Sequence, residues 1–103
     1  MIARLWRGQA TLENAAAYQH HFTHHVRPAL DGLNGHRGAW LLRHDIDGHA
    51  EFLAVTLWDS IEAIRAFAGD DVETANVEPE ARAVLSEFDN TARHFEVVSR
   101  PGP

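Results

Sequence analysis

The stretch Glu51–Asp71 reads EFLAVTLWDSIEAIRAFAGDD, and its two halves follow different periods. Glu51–Trp58 is a short apolar run with Thr56 as its only polar interior residue, and its length suits a strand better than a helix. Asp59 follows as the expected helix N-cap, and Glu62 three residues on gives a carboxylate form of the capping box. The helix Ser60–Ala68 then places Ile61, Ile64 and Phe67 on one face, and Gly69 supplies the stop. Trp58 stands at the joint.

This strand has no polar face. Phe52, Ala54 and Trp58 lie on one side, and Leu53, Val55 and Leu57 on the other. A sheet with helices on one face only should alternate apolar and polar residues. The second apolar face therefore needs a second cover, and another copy of the same sheet is the simplest one. The chain is expected to be a homodimer with its sheets packed face to face.

Upstream, Met1–Gly8 (MIARLWRG) alternates as a strand. Thr11 is suited to cap a helix that runs to about Ala29 or Leu30. Its apolar stripe is Ala15, Tyr18, Phe22, Val26, Ala29 and Leu33, and Pro28 and Gly32 make its last turn irregular. Gly35–Arg43 is the second strand, with Trp40 and Leu42 on one face and Ala39 and Leu41 on the other. Asp45–Gly48 (DIDG) signals a hairpin. Downstream, Asp70–Glu78 reads as a polar loop. Pro79 opens another helix carrying Ala81, Val84, Leu85 and Phe88, and Thr91–Val98 is the fourth strand. The order β-α-β-β-α-(α)-β over one domain, residues 1–103, is two split β-α-β units sharing an antiparallel sheet. That is an α+β, ferredoxin-like sandwich with strand order 4-1-3-2.

Composition removes several classes of function. With 45% apolar and 23% charged residues, the 103-residue chain is of the soluble globular type. Its nine basic residues are dispersed and its formal charge is −6, so no nucleic-acid partner is expected. The chain has no cysteine, which excludes disulfides, thiol catalysis and cysteine-bound zinc, and fits a cytoplasmic address. No apolar run reaches the length of a signal peptide or membrane span, so no membrane association is expected. No G-x-S-x-G, P-loop or dinucleotide fingerprint occurs.

The Glu51–Asp71 stretch, PEAR at Pro79–Arg82, FDNTARHFEV at Phe88–Val97 and RLWRG at Arg4–Gly8 together resemble small proteins of the antibiotic biosynthesis monooxygenase type. These belong to the dimeric α+β barrel superfamily. The resemblance implies a two-chain barrel with a small-molecule pocket in each subunit, between sheet and helices. The superfamily's chemistry is varied: some members oxygenate polycyclic aromatic substrates without metal or flavin, some degrade haem and others cyclise polyketides. Trp58, followed by Asp59 and Ser60, matches the strand-end Trp of the oxygenase and haem-degrading branches. Two departures matter. Those branches place a substrate-binding Asn in a strand near the Trp, whereas strand 1 contains none and Ala54 stands before Trp58. The haem-degrading branch takes its iron ligand from a His after the Trp, whereas Ser60–Asn90 has no histidine. Haem degradation of that type is not expected.

Eight histidines in so short a chain is the compositional oddity. In the run His20–His21–Phe22–Thr23–His24–His25, helical geometry puts His20 and His24 toward solvent, with His25 and His21 at the margins of the inward face. The pairs His21/His25 and His20/His24 have metal-ligand spacing, but no carboxylate at fixed spacing completes a site, so no metal is expected. His25 is expected near Trp58, where a neutral imidazole could act as a general base. His94 is expected near Trp6, toward the opposite end of the sheet from Trp58, as a proton donor or pocket wall. Trp6, Tyr18, His21, Phe22, Trp40 and Phe67 are the candidate substrate-binding residues, with aromatic surfaces suited to a flat ligand. Each is equally explained as core. Arg4 and Arg43 could neutralise an enolate or carboxylate, or else pair with Asp45, Glu51 or Glu96.

The sequence thus leads to a small-molecule enzyme acting without a cofactor on a hydrophobic, aromatic or polyketide-like metabolite, with His25, Trp58 and His94 as its catalytic candidates. The expected chemistry is monooxygenation by direct reaction of a carbanion with O2. Cyclisation or another proton transfer in the same pocket, and a non-catalytic binding dimer, are the alternatives.

Overall fold

A computed structural model describes residues Met1–Gly102. Its elements are β1 (Ile2–Thr11), α1 (Leu12–His21), α2 (Arg27–Asp31), β2 (His36–Ile46), β3 (His49–Trp58), α3 (Ile61–Ala68), α4 (Pro79–Val84), β4 (Glu87–Phe88) and β5 (Arg93–Glu96). The five strands form one antiparallel sheet in the order β2-β3-β1-β4, with β5 also pairing β1. This is the expected ferredoxin-like sandwich, with β5 as its fourth strand and β4 a short additional strand beside β1. Among the described residues, no helix is long and apolar enough to cross a membrane.

Local signals explain most boundaries. Thr11 caps α1 by accepting from the Asn14 N–H at 3.3 Å. Asp47 and Gly48 both take positive φ, 51° and 77°, the conformation a two-residue hairpin turn needs. Gly35, at φ 86°, lets the chain pass α3 so closely that a Cβ would stand 2.6 Å from that of Ala63.

Two local expectations are corrected. The cap of α3 is Ser60, whose hydroxyl accepts from Ala63 N–H at 3.2 Å, whereas Asp59 is drawn into an ion pair with Arg37 at 2.6 Å. The helix opened by Pro79 ends at Val84 and does not reach Phe88. Leu85 turns extended, Ser86 N–H bonds Gln9 O at 2.8 Å, and Glu87–Phe88 pair with Gln9 and Gly8. The open hydrogen-bonding edge of β1 outweighs the helical period of the sequence.

The long first helix is interrupted. Between α1 and α2, Phe22–Val26 form a π-helical turn, closed by an Arg27 N–H bond to Phe22 O. A π-turn adds one residue to the helical circuit. The buried position expected at Ala29 therefore moves to Leu30, and Ala29 is exposed.

Burial alternates strictly along β3: Ala50, Phe52, Ala54, Thr56 and Trp58 are buried under the helices. The core forms two clusters. One gathers Tyr18, Phe52, Ala81 and Leu85, the other Phe22, Leu30, Trp58 and Ile64, and Trp6 and Leu41 touch both. The opposite sheet face carries Leu53, Val55 and Leu57 beside Trp40, Leu42 and Phe95, the last three 44–53% exposed.

Candidate active site

A cavity of about 290 Å³ opens at the seam between the two core clusters. Strand β1 contributes Arg4 and Trp6 to it, β3 contributes Ala54 and Thr56, and the first helix contributes Tyr18, His21, Phe22, Val26 and Leu30. Phe67 of α3 and the segment Ala75–Glu78 close the rim. Its volume is at the low end for small-molecule sites, and its walls are mostly apolar, with a few polar groups. Aromatic contacts hold those walls: Tyr18 meets Phe52 at 4.9 Å and Trp6 at 6.3 Å, and Trp6 is fixed by donating its indole N–H to Asp89 O at 2.8 Å.

Two basic side chains line this cavity. His21 is 7% exposed, and its buried Nε2 has no hydrogen-bond partner in the structure. A buried polar atom without a partner is costly. Arg4 is 4% exposed; its guanidinium bonds the carbonyls of Val72 and Thr74 and stands 2.9 Å from His94 Nε2. Desolvation lowers the pKa of Arg4, and lowers that of His94 with help from the neighbouring guanidinium. Tyr18, raised by burial, stays a neutral phenol.

The structure brings together five of the expected binding residues: Trp6, Tyr18, His21, Phe22 and Phe67. It separates the others. Trp40 lies on the far face of the sheet, where alternation along β2 directs it. His25 is exposed and opens on a different cleft of about 220 Å³, beside His20 and Glu80, because the π-turn rotates it away from the sheet. Trp58 is fully buried behind the cavity wall, stacked at 5.8 Å on Phe67 and donating to Thr56 Oγ1 at 2.9 Å. His94 sits opposite Arg4 in the β1–β5 register, two residues from the pairing of Ile2 with Trp58. It is thus near the Trp58 end of the sheet, not the far end, and it supports Arg4. Arg43 pairs with Asp45 at 2.8 Å on the surface. The sequence reading passes over His36, whose buried Nε2 is also unpartnered and whose ring packs edge-on to Trp58 at 5.1 Å. Its only signal is a polar residue at the start of a strand. Among the described residues, no three His, Asp or Glu side chains are placed to hold a metal ion.

The fold is an α+β sandwich with a cavity between sheet and helices. Solved structures of that fold match over the whole chain. The haem degrader MhuD from Mycobacterium tuberculosis, with two haems in its active site, is 22% identical over 99% of this chain and all of its own, with a TM-score of 0.65. A form of MhuD with two manganese protoporphyrin IX molecules per active site gives 22% identity, complete coverage of both chains and a TM-score of 0.71. A Bacillus cereus protein designated a candidate antibiotic biosynthesis monooxygenase is 14% identical over all of this chain and 96% of its own, with a TM-score of 0.70. These likenesses establish the shared fold with proteins of the antibiotic biosynthesis monooxygenase type. No family model matches the sequence, and no curated protein does.

Proposed function

We propose that this chain is a small monooxygenase that binds a hydrophobic, aromatic or polyketide-like metabolite in the cavity and oxidises it with O2 and no cofactor. The observation that carries this reading is the unpartnered Nε2 of His21 at the wall of an apolar cavity. In its neutral form that nitrogen can take a proton from an acidic CH2 group of the substrate. The resulting carbanion reduces O2 directly. One oxygen atom stays on the carbon as a carbonyl, and the other leaves as water with the two hydrogens. The aromatic walls keep water from the carbanion. Haem fits this site poorly. The cavity is small for a tetrapyrrole, and Ser60–Asn90, the helical region after Trp58, carries no histidine to ligate its iron.

Support for a homodimer comes from the uncovered face carrying Trp40, Leu42, Leu53, Val55, Leu57 and Phe95, which a second sheet would bury. The cysteine-free composition supports a cytoplasmic address.

The test is oxygen uptake with anthrone, a planar three-ring compound with an acidic CH2 group, measured against the uncatalysed rate. Catalysed uptake that gives anthraquinone and water, and that His21→Ala abolishes, is the expected result. Product formed under strict anaerobiosis would move the reading to a cyclase or other proton-transfer enzyme using the same base. No turnover of any enolisable ring compound would leave a binding dimer.

A further inference from the structure

Resting on the reading of the cavity as a substrate site, we propose that Arg4, held in place by His94 behind it, forms an anion subsite within the cavity, and that the metabolite taken is a planar aromatic carboxylate. Four other arginines meet carboxylates: Arg7 with Glu51, Arg37 with Asp59, Arg43 with Asp45 and Arg65 with Glu62. All four pairs lie at the surface, where such contacts contribute little. Arg4 is the arginine held out of water, and it has no carboxylate partner among the described residues. Of the carboxylates the sequence offers, Asp45 and Glu51 lie at the other end of the sheet and are engaged by Arg43, Arg7 and His44, and Glu96 is exposed.

Carbonyl dipoles from Val72 and Thr74 offset the buried charge only in part. His94 adds no negative charge. A guanidinium can only donate, so the imidazole nitrogen 2.9 Å away must be an unprotonated acceptor. Three of the five guanidinium N–H groups are engaged by these contacts, leaving donors for an oxyanion. Glu73, beside His94, and Glu78, at the cavity rim, are both exposed.

The rest of the cavity sets the shape of the ligand. Phe67 lies 5.7 Å from the Arg4 guanidinium, and Trp6, Tyr18 and Phe22 supply flat apolar walls. A ring system against those walls with a carboxylate on Arg4 satisfies both halves of the site. The chain as a whole carries a formal charge of −6, so an anion has reason to enter only where this cation waits.

The test compares binding of 2-naphthoate, 2-naphthamide and 2-naphthylmethylammonium to the wild-type chain, followed by tryptophan fluorescence. The rings match and only the head group changes, so the comparison needs no folded variant. Naphthoate is expected to bind roughly tenfold or more tightly than the amide, with the ammonium weakest. Arg4→Gln should erase the preference for naphthoate, and Arg4→Lys should keep part of it. Equal binding of naphthoate and naphthamide would overturn the anion subsite and leave the cavity as a substrate site. No binding of any of the three at millimolar concentration would overturn both.

Discussion

Nε2 of His94 lies 2.9 Å from Nη1 of Arg4, and only a neutral imidazole satisfies that contact. Burial, then the nearby guanidinium, hold the His94 pKa below the ordinary histidine value of 6.5. The unfolded chain therefore takes up its proton first as pH falls. The stability this contact contributes is complete above pH 6.5 and is lost on acidification through the lowered folded-state value. Melting temperatures between pH 7.5 and pH 5 should fall more steeply for the wild type than for His94→Gln, whose amide oxygen can accept from Arg4 without titrating. Parallel slopes would remove His94 from the acid limb.

His21 and His25 are one helical turn apart, with ring centroids 5.5 Å from each other, yet only His21 reaches the cavity. Replacing His21 by Leu removes a buried, unpartnered nitrogen, so stability should stay within about 1 kcal/mol of wild type or rise. Catalysed oxygen uptake should fall by roughly 10²–10⁴-fold, the usual contribution of a general base. His25→Ala should leave the rate unchanged. A larger loss at His25 than at His21 in the same oxygen-electrode assay would reverse the assignment.

Trp58 is a packing residue in this structure. Trp58→Phe loses the indole bond to Thr56 and some core volume, and should cost about 1–3 kcal/mol. In a domain of this size that lowers the melting point by roughly 5–15 °C. Because Trp58 does not line the cavity, naphthoate affinity should change less than twofold at a temperature where the variant is folded. A large affinity loss would place its ring in the site.

Trp40 and Leu42, neighbours on the uncovered face, test assembly without touching the cavity. Sedimentation of the wild type is expected to give twice the chain mass of 11.5 kDa, and the double variant Trp40→Glu, Leu42→Glu should sediment as a single chain. A wild-type monomer at micromolar concentration would end the dimer reading.

Strands, hairpin and sheet order are legible in the sequence because each rests on local chemistry. The apolar run of β3, the Asp47–Gly48 turn and the Thr11 cap are examples. The aromatic walls of the cavity are legible too, since Tyr18 and Phe22 share a helix face. What the sequence hides are effects of the whole fold. The π-turn at Phe22–Val26 has no composition signature, and it turns His25 away from the wall and moves the buried position from Ala29 to Leu30. Helical spacing at Leu85–Phe88 gives way to pairing with β1, a competition settled only when that edge exists. The choice of Ser60 over Asp59 as the cap of α3 depends on Arg37, distant in the chain.

The division of the core into two clusters has a consequence for how the protein breathes. The halves touch through few shared side chains, Trp6 and Leu41 among them, and elsewhere they face each other across open space. Each half can loosen with little cost to the other, so amide protection should step down at the seam while the chain is empty. A ligand seated between Tyr18 and Phe22 would act as the missing keystone. At a hundred times its dissociation constant it adds about 2.7 kcal/mol, felt by both halves at once. The chain should then melt as one cooperative body, with the ligand as the last piece of its core.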